Sequence, residues 1–343
     1  MKISTIAAYV DQPIILGKLH KKMPAALVGA GTIFGVRDCA KHGKNKLPEK
    51  RKECFIKNTV VIASTIGATL LGTRYLKIKG KNLLECEPLK EILKKQTRAI
   101  NEFMEKNPLS GDLAGILNKA KEKQLSPKQI ETLSAKLPAG NDKTKLFVTI
   151  LPKAKDLNSK EVFEKILQLS VLGAIPIVGG VAGGIAADKI THTSSRRGTA
   201  NKVKEGLYQY FANIFLCNVG AGAFLFASEK LVQAKKIKPL TPAKKLGVIL
   251  AGITATGIAG GSYIANLIAH KAINPMFDKN RTKNKRIYDE RRPEALDIAL
   301  HADDIATAGV LAGLKWIEPA LPFMYFISGY RAGTGYRNPE KQH

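Results

Sequence analysis

"ILQLSVLGAIPIVGGVAGGIAA", residues 166–187, runs for 22 residues without Asp, Glu, Lys or Arg. At 1.5 Å rise per residue a helix of that length reaches roughly 33 Å, enough for a hydrocarbon core of about 30 Å. Helices inside soluble domains seldom need such an uninterrupted stretch. Two further uncharged runs follow, 206–228 with 23 residues and 246–270 with 25. Weaker candidates surround them. Residues 305–330 are interrupted by Lys315, Glu318, Pro319 and Pro322, residues 58–73 make a 16-residue run, and residues 24–36 make one of 13. The last two are short for a crossing and predict marginal membrane helices, as a shallow hairpin or in the interface.

The pattern therefore predicts an all-α, polytopic helical membrane protein with about 4 to 6 membrane helices and a small soluble helical insert. Four regions divide the chain: a basic amino-terminal region (1–73) with two short or marginal membrane helices, a soluble insert (74–164), a membrane helix bundle (165–330) and a polar tail (331–343). Within the insert, Leu89, Ile92, Leu93, Ile100, Phe103 and Met104 recur at helical spacing, as do Leu113, Ile116 and Leu117, then Ile130, Leu133 and Leu137. "SPKQ" at 126–129 marks a helix start: Ser126 caps, Pro127 suits the first turn and Gln129 completes a capping box. Three or four short helices are expected there.

Lys and Arg number 55 against 28 Asp and Glu, a formal net charge of +27. Such a chain is drawn to polyanions, and the apolar runs select anionic lipid over nucleic acid. The basic residues are spread through every connector, and no zinc-finger, basic-zipper or RNA-recognition pattern occurs. The expected partners are the lipid bilayer, other membrane helices and further copies of the chain, while nucleic acid is not expected. Orientation stays open, because most of the charge asymmetry comes from the long insert, which orienting signals discount. No removable signal peptide is expected at the amino terminus, where Asp11 interrupts the hydrophobic residues.

Glycine spacing bears on how the helices meet. "VGAGTIFG" at 28–35 superficially offers a phosphate-cradling loop, but its glycines are spaced GxGxxxG, a basic stretch through Lys52 follows, and no alternating β and α units come after it. A nucleotide cofactor is not expected, nor any other. Instead Gly31/Gly35, Gly179/Gly183, Gly180/Gly184, Gly257/Gly261 and Gly309/Gly313 repeat a GxxxG spacing, which places small strips on helix faces where a second backbone can approach.

Candidate chemistry is sparse. Asp297, His301 and Asp304 fall at i, i+4 and i+7 and would share one helix face, a weak metal or proton-relay candidate against a plain solvated face. Lys315 and Glu318 lie three residues apart within an apolar run and could neutralise each other, either lining a path in a broken helix or forming a re-entrant turn with Trp316 as anchor. Cys39, Cys54, Cys86 and Cys217 show no CxxC pair; Cys39, His42 and Cys54 lack a fourth zinc ligand, so thiols are expected and disulfides are not implied. His192 lies in a polar loop with no partner in sequence, and His270 stands at the boundary of the third uncharged run next to Lys271. No catalytic motif stands out, and enzyme activity is not expected. The sequence points first to a scaffold or assembly component of the cell membrane, crossing it several times, next to a transporter or channel using Lys315 and Glu318, and third to a membrane-embedded enzyme.

Overall fold

The computed structural model describes residues 3–43, 48–84, 87–109, 111–152, 159–277, 302–311 and 315–335. Two helical units emerge. A bundle of long helices carries the larger core, and a cluster of short helices holds a second core of its own.

The chain begins with α1 (Ile3–Val10), followed by α2 (Pro13–Gly43) and α3 (Pro48–Tyr75). Here the structure departs from the short elements expected at 24–36 and 58–73. Those apolar runs are the middles of helices of 31 and 28 residues. Lys and Arg are good helix formers, so the charged flanks prolong each helix beyond the stretch that hydropathy detects. Leu27, Ala30, Val61 and Ile66 face inward, whereas Val28, Ile33, Val36 and Leu71 lie exposed on the outer faces.

A two-residue hairpin, β1 (Lys77–Ile78) and β2 (Lys81–Asn82), leads into the insert. Its turn runs through Lys79 and Gly80, both at positive φ. Four helices follow: α4 (Leu89–Lys106), α5 (Gly111–Ala120), α6 (Pro127–Lys136) and α7 (Asn141–Ile150). Ile100, Phe103, Leu117, Leu133 and Leu146 form their shared core. Helix α1 docks on this unit, with Thr5 donating to Glu131 at 3.3 Å and the Gln12 amide exchanging two hydrogen bonds with the Leu125 backbone at 2.7 and 2.8 Å.

The capping box at α6 forms as the sequence predicts: Gln129 N–H donates to Ser126 Oγ at 3.3 Å and Ser126 N–H to Gln129 Oε1 at 2.8 Å. Ser126→Ala removes one of the two bonds. Thermal unfolding should register a loss of about 1 kcal/mol from the insert, with the long helices unaffected.

The bundle resumes with α8 (Ser159–Ile190), which antiparallel α9 (Arg196–Tyr210) and α10 (Leu216–Gln233) retrace, joined by a π-helical segment at Phe211–Phe215. Next come α11 (Pro242–Ile253), a π segment (Thr254–Gly261), α12 (Ser262–Ile268), another π segment (Ala269–Ile273) and α13 (Asn274–Phe277). After α14 (Ala302–Leu311), a 3-10 turn at Lys315–Ala320 delivers the chain into α15 (Leu321–Thr334). Among the described residues three helical stretches, Pro48–Tyr75, Lys160–Ile190 and Arg196–Gln233, are long and apolar enough to cross a membrane; the uncharged run at 246–270, expected to span, is not one of them and is divided by two π segments.

Helix α8 is the hub of the bundle, and its glycines explain why. A Cβ on Gly179 or Gly183 would collide with Ala68 or Ser64 of α3, while one on Gly180 or Gly184 would run into the carbonyls of Gly329 and Gly333 on α15. "GGVAGG" thus serves two neighbours from two adjacent faces. Gly31 and Gly35 meet Ile62 of α3, and Gly257 and Gly261 meet Cys217 and Ala212. Gly309 is buried in α14; Gly313 lies outside the described residues.

Candidate functional site

The charges of α8 lie at the two ends of its uncharged run. Lys165 and Asp188 are separated by 23 positions, about 35 Å along a straight helix. Each is buried and each has a partner far away in sequence.

At the first end, Lys165 Nζ lies 2.8 Å from Glu318 Oε1, with the two side chains 8% and 7% exposed. The 3-10 turn preceding α15 brings Glu318 here, because Pro319 and Pro322 favour a tight turn and a new helix start rather than continuation. Glu318 is therefore joined to a residue 153 positions earlier. The backbone of Lys315 belongs to the same turn, but its side chain and that of Trp316 lie outside the described residues.

At the opposite end, Asp188 accepts from Lys202 of α9 through Oδ2 and pairs with Lys57 of α3 at 3.3 Å through Oδ1. One carboxylate thereby ties three helices. Nearby, Glu205 of α9 faces Arg331 of α15 at 3.7 Å.

A polar ladder leads inward from Glu205. Gln209 Nε2 donates to Glu205 Oε1 at 2.8 Å, and Asn213 Nδ2 donates to Gln209 Oε1 at 2.8 Å. Spacing of four along α9 stacks these side chains on one face, and each amide dipole orients its donor toward the carboxylate. Asn213 sits in the π segment, where the wider turn shifts the helical phase before α10 begins. Beyond it, Asn218 donates to Ser170 of α8 at 3.3 Å. Buried side-chain oxygens of Gln168 and Ser328 have no hydrogen-bond partner among the described residues.

The other sequence candidates fare differently. Asp297 and His301 lie outside the described residues; Asp304 belongs to α14, with its side chain likewise outside. Among the described residues, no group of three or more His, Cys, Asp or Glu is placed to hold a metal ion. Cys39 and Cys54, by contrast, come together, with sulfurs 3.1 Å apart.

Sequence reasoning missed Lys165, Asp188, Glu205 and Arg331, which read as ordinary boundary charges. Their signal was position: each stands within a helical turn or two of the limit of an apolar run, where a charge either reaches solvent or needs a partner. Gly329 and Gly333 repeat the GxxxG spacing and were equally readable.

No family model, curated protein or solved structure matches the chain.

Proposed function

We propose that this protein is an integral component of the cell membrane, crossing it several times and serving as a structural or assembly element. One observation carries the reading: polarity is inverted across the long helices. Val28, Ile33, Val36, Leu71, Val178, Phe224 and Phe226 are exposed, whereas Asn58, Thr65, Thr69, Gln209, Asn213 and Asn218 are buried. In water this arrangement wastes apolar burial, while in lipid it satisfies both faces. The paired charges at the ends of α8 bracket a length matching the hydrocarbon core.

Scaffolding is favoured over transport because the buried charges serve as ties between helices. Lys165, Asp188 and Glu205 each join separate segments of the chain. The net charge of +27 supports anionic lipid as a partner, and the basic connectors would meet its headgroups. The Glu205–Gln209–Asn213 ladder favours transport as the second reading, since a hydrogen-bonded polar file is what a path through lipid requires.

Alkaline carbonate extraction of cell membranes tests the assignment. The full chain should stay in the pellet, and after mild detergent it should migrate in native gels above the 37.2 kDa of a single copy. Release into the supernatant would sink the membrane reading. Retention in the pellet with migration as a single copy would remove the assembly role.

A further inference from the structure

Cys39 near the end of α2 and Cys54 near the start of α3 bring their sulfurs to 3.1 Å, both half-buried. A third helix completes the surroundings. Tyr330 of α15 donates its hydroxyl to Asn58 Oδ1 at 2.6 Å, which turns the Asn58 amide nitrogen toward the thiols. That nitrogen lies 3.1 Å from Cys39 Sγ, 3.4 Å from Cys54 Sγ and 3.4 Å from Asp38 Oδ2. Asn58 and Tyr330 are both buried. Two thiols from different helices thus meet over a fixed amide donor, at an accessible edge of the bundle.

We propose that Cys39 and Cys54 form a reversible disulfide that staples α2 to α3, made by exchange with a small-molecule disulfide. One cysteine attacks as thiolate a sulfur of the small disulfide. The protein–small-molecule bond forms, the original sulfur–sulfur bond breaks, and one small thiol departs with a proton. The second cysteine then attacks the protein sulfur of that adduct, closing Cys39–Cys54 and releasing the second small thiol. Two protein thiols have lost two electrons and two protons, and the small disulfide has gained them. The Asn58 amide offers a hydrogen bond to the sulfur that carries negative charge during each attack. The closed staple ties together helices whose contact is otherwise made by side-chain packing and the Asn58 hydrogen bonds, and narrows the conformations open to the unfolded chain.

The test uses the full-length protein in detergent, equilibrated with oxidised glutathione, then denatured and labelled with a maleimide. The sequence holds four cysteines. The expected result is loss of two labelled sites, a proteolytic peptide pair linking Cys39 to Cys54, and recovery of all four sites after dithiothreitol. Oxidation should also raise the melting temperature, and the rise should vanish in Cys54→Ser, which should instead hold a glutathione adduct on Cys39. Four labelled sites after oxidation, a linkage involving Cys86 or Cys217, or a glutathione adduct that persists in the parent would each overturn the proposal. Because Cys54→Ser changes one atom, its folding can be checked independently by its melting temperature under reducing conditions, which should equal that of the reduced parent.

Discussion

Glu318→Gln should destabilise the protein by about 3–5 kcal/mol, the characteristic loss when one partner of a buried ion pair is neutralised. The amide fills the same space, so packing is almost unchanged. What changes is that the Lys165 ammonium, 8% exposed, would face a neutral group instead of a carboxylate 2.8 Å away. A pronounced drop in accumulation and in melting temperature is expected. Lys165→Met combined with Glu318→Gln should recover most of the loss, since replacing a whole buried pair by groups of similar volume is often neutral or better. Under the scaffold reading the double variant folds and keeps its native-gel assembly. If the single variant melts like the parent, the pair contributes nothing and the turn before α15 must be held by packing alone.

Gly180→Ala should cost about 2–3 kcal/mol although it adds a single methyl group. The obstacle is backbone: the new Cβ would lie against the Gly329 carbonyl, with its carbon at 2.6 Å, and a carbonyl cannot rotate aside as a side-chain tip can. Helices α8 and α15 must separate, which also loosens Gly184 from Gly333 and drags on the Arg331 contact with Glu205. Gly180→Leu with Gly184→Leu should abolish folding. Gly67→Ala and Gly29→Ala provide the contrast, for a Cβ at either meets nothing within 4 Å. They should be neutral or stabilising by up to about 1 kcal/mol, the gain in helix propensity. Equal melting temperatures for Gly180→Ala and Gly67→Ala would mean that α8 and α15 do not meet through these residues.

Helical class, two of the three longest apolar runs (166–187 and 206–228) and the charged insert were legible in composition and spacing, whereas the third run, 246–270, is divided among α11, two π segments and α12 and is not one of the long apolar helices. Each depends on properties summed along the chain: length at 1.5 Å per residue, absence of charge, and apolar positions on one face. The cap at Ser126 was legible for the same reason, since its bonds span three residues. Helix limits were less so. The extension of α2 to 31 residues escapes a hydropathy reading because basic residues end an apolar run without ending a helix.

Partnership lay beyond reach of the linear pattern. Lys315 is the nearest cation to Glu318 in sequence, yet Lys165 is the one the fold delivers, 153 positions away. "GGVAGG" announces that two backbones will approach, while only packing reveals that Gly179 and Gly183 serve α3 and that Gly180 and Gly184 serve α15. In sequence Cys39 and Cys54 offer only an incomplete zinc set with His42, and it is the packing of α2 against α3 that sets their sulfurs side by side. Local spacing dictates which residues share a face, because the helix repeat is the same in every chain. Which faces meet depends on crossing angles and on fitting all the helices at once, and it is there that the buried charges, glycines and thiols of this protein acquire their partners.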